Sequence, residues 1–347
     1  VESVPGVNPV FLRFHPTLLP YLRTWGADEE RAVLEMRYWQ RDYALAEYLY
    51  RSDTQTPHQA RAVAQRELPN LRCALELALE AGAVSEAVSF ADSIALFLYV
   101  FGRWREREAM LARVRARAAQ ESGEGALTKT AFLLASRQGE ILLQRGRAAE
   151  AERVFRALLA RLEGDAAYDA ACDHALVLVW LGRCLAAQGQ QGQAIVWHQR
   201  ALNGFEQLSE LTERARGMVA GSHVDWADSL TAMGQFDEAQ EHYRTALSIF
   251  QEINDQRSVG VVLGQLGTLA EMRDDLSEAK QRHREALDTF RALGEPREEA
   301  VWWHKLGMVA QKAEDWDEAE RNYREAFRVA REAASEKQGP RLLRVAH

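Results

Sequence analysis

Small and apolar residues recur at fixed offsets through most of the chain. The clearest copies are Leu306-Gly307, Ala319, Tyr323 and Ala326, then Leu266-Gly267, Ala279, His283 and Ala286, then Leu181-Gly182, Ala194, His198 and Ala201. Looser copies are Trp226-Ala227, Ala239, Tyr243 and Ala246, then Gln138-Gly139, Ala151, Phe155 and Leu158, and an eroded sixth begins at Ile94-Ala95. Because spacings of three and four residues keep side chains on one helix face, the pattern predicts a tandem array of helix pairs.

Each copy predicts two close-packed helices joined by a short turn. We expect the small residue of the first helix to face the Ala of the second, with the ring filling the gap beside that contact. The predicted turns are rich in Gly and acidic residues: Gly146-Arg147, Gly189-Gln190, Gly234-Gln235-Phe236, Arg273-Asp274-Asp275 and Glu314-Asp315-Trp316. Such residues favour chain reversal and helix capping.

The first 83 residues do not follow this pattern. Pro16 and Pro20 punctuate an opening stretch, and an aromatic-rich helix is predicted from about Asp28 to Tyr50. A second helix is predicted from Glu67 to about Gly82, which would end it. We therefore expect a helical lead-in at 1–83, repeats at 84–334 and a tail at 335–347.

The repeat pattern resembles the tetratricopeptide repeat, which combines Trp, Leu-Gly, Ala, an aromatic residue and Ala at these offsets. Trp303 even precedes Leu306-Gly307 at the consensus position. The copies here recur every 40 to 45 residues, whereas the family repeat has 34. The resemblance implies an all-α, right-handed superhelix of about six helix pairs, and the added length implies helices of roughly 17 to 20 residues, about 26–30 Å each.

The lead-in is similar to the segment that joins the ATPase core to the repeats in bacterial signal-transduction ATPases of the NB-ARC/STAND type. His15-Pro16 and Tyr21-Leu22 fit its first motif, and a second motif is matched by Glu67, Asn70, Leu71, Arg72, Ala74 and Leu75. This resemblance implies the sensor half of such an ATPase. No GxxxxGKS or GxxxxGKT occurs in the sequence, and the first residue is Val1 rather than Met, so we expect the nucleotide-binding domain to lie upstream in a longer parent protein.

The charge balance and the cysteines indicate which partners and which cellular compartment to expect. A formal net charge of −8, from 43 Lys and Arg against 51 Asp and Glu, argues against nucleic acid as the main partner. The longest purely apolar run, Ile94 to Phe101, is too short to span a membrane, which needs about 20 residues. No signal peptide opens the chain. Its cysteines, Cys73, Cys172 and Cys184, form no CxxC motif and are odd in number, which does not suit a disulfide framework. We therefore expect the protein to lie in a reducing cytoplasm.

The positions of the histidines and acidic pairs indicate structural roles rather than catalysis or metal binding. His198 and His283 occupy the ring position of the repeat, which predicts a packing role between helices. No HExxH, Cys/His cluster or GxSxG occurs, and Asp274-Asp275 lies in a turn, where helix capping explains it. We therefore expect no catalytic residue, no metal site and no cofactor.

The concave groove is the predicted binding surface, because the first helix of each pair lines that wall in tetratricopeptide superhelices. The predicted groove positions lie two residues before and two residues after the Leu of each Leu-Gly pair. Together with residues that border them, they give the candidate partner-binding residues Arg137, Glu140, Trp180, Arg183, Asp225, Asp228, Gln265, Thr268, His304 and Met308. Their mixed charge with Trp suits a protein, a peptide or a polar small molecule. The alternative is an ordinary solvated helix surface. None of the five Asn residues lies at a groove position, which disfavours a carboxylate clamp.

An Arg-rich helix around residues 103–117 is the strongest basic patch. Arg113 and Arg117 lie one helical turn apart and are candidates for an interdomain contact. A solvated outer helix and a nucleic-acid contact are the alternatives. Taken together, the sequence predicts a non-catalytic sensor module of a STAND-type ATPase that recognises its partner in the groove; the alternative is a stand-alone interaction scaffold or peptide-responsive regulator.

Overall fold

The computed structural model of the chain describes residues 2–4, 7–11, 28–121, 127–164, 171–208 and 211–342. Within them lie two short antiparallel strands, β1 (Glu2–Val4) and β2 (Val7–Phe11), and fourteen α-helices. The helices are α1 (Asp28–Ser52), α2 (Pro57–Glu80), α3 (Val84–Val100), α4 (Trp104–Glu121), α5 (Lys129–Gln144), α6 (Ala148–Gly164), α7 (Ala171–Ala187), α8 (Gln191–Glu206), α9 (Glu213–Ala232), α10 (Phe236–Glu252), α11 (Gln256–Met272), α12 (Leu276–Ala292), α13 (Pro296–Lys312) and α14 (Trp316–Leu342). The predicted all-α repeat fold is confirmed, and the strand pair is an addition to it.

The chain divides into two compact units, one of Val1–Gln138 with Glu163–Tyr168 and one of Gly139–Leu162 with Asp169–His347. In the first unit, α1 packs on α2 and α3, and α3 packs on α4. Leu49, Ala60, Ala64 and Phe97 form a small core there. The predicted domain boundary at residue 83 stays a prediction.

Helix α2 begins ten residues earlier than the sequence pattern indicated. Pro57 stands in its first turn, where a missing N–H is harmless, and the helix continues through Pro69. An apolar face that includes Ala60, Ala64 and Leu68 is buried. This packing offsets the hydrogen bond that Pro69 removes, so tertiary contacts extend the helix across a residue that normally ends one.

In the second unit the helices form consecutive antiparallel pairs. Each first helix packs on its own second helix and, from α8 onward, each second helix packs on the first helix of the next pair. The helices from α6 to α13 contain 16 to 20 residues, close to the predicted lengths.

The predicted turns are confirmed, and each contains a residue with positive φ. Gly146, Gly189 and Gly234 provide it in three turns, whereas Asp274 (φ 62°) and Glu314 (φ 59°) provide it in the last two. A side chain in this conformation is strained by roughly 1–2 kcal/mol. In each of these two turns the next residue is an Asp that caps the following helix, which offsets part of the strain. Asp315 Oδ1 accepts a hydrogen bond from the Glu318 N–H at 2.9 Å, and Asp275 caps α12 in the same way.

The glycines of the Leu-Gly pairs face the rings of the second helices, which corrects the prediction that they face Ala. A Cβ atom added to Gly182 would lie 2.5 Å from the His198 ring, and one added to Gly267 would lie 2.5 Å from the ring of His283. Gly139 and Gly307 lie in the same way against Phe155 and Tyr323. A planar ring therefore occupies the space that a side chain on the first helix would need.

Candidate functional site

The first helices of the second unit, α7, α9, α11 and α13, carry most of the predicted groove residues. We call the surface formed by these residues the first-helix wall. Across it, Arg183 Nε of α7 donates a hydrogen bond to Asp225 Oδ2 of α9 at 2.6 Å. Both side chains are about three-quarters buried. Two predicted residues from neighbouring repeats are thus brought together as an ion pair.

Trp180 fixes the other side of Arg183. The guanidinium carbon of Arg183 lies 4.6 Å from the centre of the Trp180 ring, within the range of a cation–π contact. Trp180 also stacks on Phe155 of α6: the two rings are nearly parallel, with their centroids 5.7 Å apart. Arg183 is therefore held by both a carboxylate and an aromatic face, which orients its remaining N–H groups.

Asp228 forms a second link one turn along α9. The Tyr243 hydroxyl donates to Asp228 Oδ1 at 2.5 Å, and Gln265 Nε2 of α11 donates to the same oxygen at 3.3 Å. The surrounding protein displaces much of the carboxyl's water and raises the pKa of Asp228 to about 6, although the hydrogen bond from Tyr243 opposes this. The side chain still meets solvent, so this acid remains accessible to a ligand.

Glu271 of α11 is a buried acid that contacts α12 and α13 and that the repeat pattern did not indicate. Its Oε1 lies 2.6 Å from His283 Nε2, while Lys305 and Lys312 of α13 lie 4.0 and 3.9 Å from its carboxylate. Burial works against the charged form, but the hydrogen bond from His283 and the two lysines bring the pKa of Glu271 below its ordinary value. An acid near the end of the mostly apolar helix α11 was the available signal.

The far end of the wall is more open. His304 is exposed, with its ring 5.2 Å from that of Tyr323, and Met308 is 36% exposed. Thr268 is half-buried and its hydroxyl donates to the Gly264 carbonyl at 3.1 Å. The Thr268 hydroxyl is thus hydrogen-bonded within its own helix, whereas His304 and Met308 face solvent.

Two predicted groove residues lie on α5. Arg137 belongs to the first unit, where its Nη2 donates to Asp92 Oδ2 of α3 at 2.8 Å. Glu140 is only 7% exposed, which gives it little surface for a ligand. Neither residue is a freely accessible groove position.

The candidate interdomain arginines contact α2 of their own unit. Arg113 pairs with Glu76, and Arg117 Nε donates to the Leu79 carbonyl at 3.4 Å. Arg113 remains largely exposed. These contacts give both residues a structural role in joining α4 to α2.

The histidines lie where the repeat pattern predicts packing. His198 and His283 are fully buried against their glycines, and burial lowers the pKa of His198 to about 4. Elsewhere, the Nδ1 atoms of His223 and His242 lie 2.8 Å apart, beside Trp226. Among the described residues, no group of three or more His, Cys, Asp or Glu side chains is arranged to hold a metal ion. None of the described helices combines the length and apolar character needed to cross a membrane.

Comparison with known sequences identifies the repeats. Residues 218–292 and 304–337 match tetratricopeptide-repeat families. No curated protein sequence matches the chain.

Solved structures share the fold at low sequence identity. The STAND protein PH0952 from Pyrococcus horikoshii, a signal-transduction ATPase with a tetratricopeptide-repeat sensor, matches 92% of this chain at 15% identity with a TM-score of 0.62, and the chain spans 44% of that protein. BtubC from P. vanneervenii matches 75% of this chain and 92% of its own at 20% identity and a TM-score of 0.50. The apo form of RapI matches 59% of this chain and 72% of its own at 16% identity, with a TM-score of 0.50. The tetratricopeptide-repeat fold is thereby shown, and PH0952 shares this fold along most of the chain.

Proposed function

This chain carries tetratricopeptide repeats, a protein-binding scaffold, and from that premise we propose that it is the sensor module of a STAND-type signal-transduction ATPase. Its role is binding rather than catalysis, and the ATPase belongs to the parent protein. Two features support the STAND assignment: the Glu67 to Leu75 motif of the lead-in and the likeness to PH0952 along most of the chain.

The partner is a protein or peptide, and it binds the first-helix wall. The observation that carries this proposal is the row of polar links between successive first helices, Arg183 to Asp225 and Asp228 to Gln265. An acidic group on the partner would compete with Asp225 for Arg183, and a donor would compete with Gln265 for Asp228. The half-buried ring of Trp180 holds Arg183 in place beside them through the cation–π contact.

The same links suggest how binding is signalled. Each link joins two neighbouring repeats, so a partner that replaces it changes the angle at which those repeats pack. A partner shifts an off/on equilibrium only if it binds the two states with different affinity. Replacing an inter-repeat contact creates that difference, because the contact is intact in one state and broken in the other.

The binding surface is tested by affinity capture from the cytosol of the source cells, with mass spectrometry for proteins and small molecules. The Arg183→Glu/Asp228→Arg variant should lose the partner that the unmodified chain retains. A Glu241→Arg/Arg244→Glu variant serves as the matched control, because it reverses an exposed pair on α10. A partner retained by both variants would move the interface off the wall.

The ATPase assignment is tested separately. The reading frame of the parent gene should encode a GxxxxGKS or GxxxxGKT motif upstream of Val1. A parent without that motif would favour the second candidate, a stand-alone interaction scaffold, for which the repeat families alone provide the support.

A further inference from the structure

Helix α14, the last one in the described residues, exposes large apolar side chains along one face. Trp316 is 64% exposed and Phe327 is 69% exposed, and they flank an open cavity of about 530 Å³. The other residues that line the cavity are Gln311, Ala319, Glu320, Tyr323 and Arg324. Exposed apolar surface of this kind usually marks an interaction site.

The equivalent face is covered in the preceding pair. Phe327 occupies the repeat position of Leu287, which is fully buried, and Tyr323 occupies that of His283. Trp302 of the next first helix lies 5.5 Å from the His283 ring and 6.2 Å from Phe290. Within the described residues, no helix covers α14 in this way. The face of α14 is thus of the kind that lies inside the array in the preceding pair, and in the described part of the chain it is open to solvent.

We propose that α14 is a self-association surface on which a second copy of this chain docks, with the two α14 helices antiparallel across a two-fold axis. Trp316, Glu320, Tyr323 and Phe327 follow the spacing of four, three and four residues that forms the contact seam of paired helices. A two-fold axis near residue 322 places Trp316 of each copy against Phe327 of the other. The contact closes on itself, as an isologous interface requires.

The charges on the same face are self-complementary under that operation. Within one helix, Arg324 Nη2 contacts Glu320 Oε1 at 2.7 Å, and both side chains are mostly exposed. The axis that pairs Trp316 with Phe327 also brings Glu320 of each copy beside Arg324 of the other. An unrelated helix would have to reproduce this order of apolar and charged groups, whereas a second copy does so by symmetry. This favours the second copy as the occupant.

The expected affinity is modest, because a single pair of helices gives an interface at the small end of the usual range. We expect a dissociation constant on the order of 10 µM. Sedimentation equilibrium of the full chain, from roughly 1 to 200 µM, should therefore show a reversible monomer–dimer equilibrium.

Charge reversal separates this arrangement from a general hydrophobic association. Glu320→Arg alone, or Arg324→Glu alone, places like charges together twice per dimer and should weaken dimerisation at least tenfold. The double variant Glu320→Arg/Arg324→Glu restores opposite charges across the axis and should recover most of the dimer. These residues are exposed, so the three variants should fold as the unmodified chain does, as circular dichroism can verify.

Phe327→Glu should abolish the dimer, whereas Met272→Glu, at a comparably exposed apolar residue on α11, should leave it intact. The proposal is overturned if the unmodified chain stays monomeric across the concentration range. It is equally overturned if the dimer survives Phe327→Glu, or if the double charge reversal is no better than the single ones. Either of those last two results would assign α14 to another occupant or the dimer to another face.

Discussion

Arg183 and Asp225 lie 42 residues apart in sequence, yet their side chains form a 2.6 Å ion pair between the first helices of neighbouring repeats. Because both are only about a quarter exposed, the pair is less weakened by solvent than a surface pair. The pair therefore links two neighbouring repeats, and its contribution to stability should be measurable.

A double-mutant cycle of Arg183→Ala and Asp225→Ala should therefore give a coupling free energy of about 1 kcal/mol. Urea unfolding followed by circular dichroism measures it. The exposed pair Arg244 and Glu241, cycled in parallel, should give a value near zero. Equal coupling in the two cycles would show that burial adds nothing to the Arg183 pair.

Gly182 should be intolerant of even one added carbon. In Gly182→Ala the new Cβ would lie 2.5 Å from the His198 ring, so we expect a loss of roughly 1–3 kcal/mol in the free energy of unfolding. Gly192→Ala in α8 is the control, because nothing lies within 4 Å of a Cβ there. That change should be neutral or slightly stabilising, because Ala favours a helix over Gly but Gly192 lies in the first turn. Thermal unfolding of both variants tests the contrast, and a neutral Gly182→Ala would contradict the packing.

The helices of the repeats could be predicted from sequence because their signals are local. The Leu-Gly pairs, the Ala positions and the turn residues located each helix pair to within a few residues. The start of α2 could not be predicted in this way, since its passage through Pro69 depends on packing against other helices. The predicted partner of each glycine was wrong for a similar reason. Offsets along the chain do not say whether the Ala or the ring of the second helix points at the first helix.

The candidate site was predictable as a set of positions but not as a set of pairs. The repeat pattern selected Arg183 and Asp228 as groove positions and Asp225 and Gln265 as their neighbours. The structure joins these four residues in two pairs. Pairing depends on how far one repeat is rotated against the next, and no spacing within a repeat encodes that rotation. Glu271 was missed because it falls outside the counted positions and acquires its role only from His283, Lys305 and Lys312.

The turn before α14 contains strain that a single substitution should release. Glu314 adopts a φ of 59°, a conformation that glycine adopts in six other turns. Glu314→Gly should therefore raise the stability of the last pair by up to about 1 kcal/mol, after the extra freedom of glycine in the unfolded chain is discounted. Hydrogen exchange of α13 and α14 amides is the suitable measurement. Asp315→Ala, which removes the cap of α14, should change the same amides in the opposite direction by about 1 kcal/mol.

His198 should make the stability of the second unit depend on pH. Its ring is fully buried, neither ring nitrogen has a hydrogen-bond partner, and its pKa falls from 6.5 to about 4 on folding. The unfolded chain therefore binds the proton more readily between these values, and stability falls as the pH is lowered from about 6.5 to about 4. The largest loss attributable to this ring is about 3 kcal/mol.

His198→Phe is the matched variant, because Phe155 fills the same repeat position against Gly139. His223, whose pKa is also lowered, and Asp228, whose pKa is raised, are present in both proteins, so the difference between the two pH profiles isolates His198. Urea unfolding at pH 7.5 and at pH 4.5 should show the variant losing less stability than the unmodified chain. Parallel profiles would mean that His198 is protonated in the folded state, and the buried neutral ring between α7 and α8 would then be wrong.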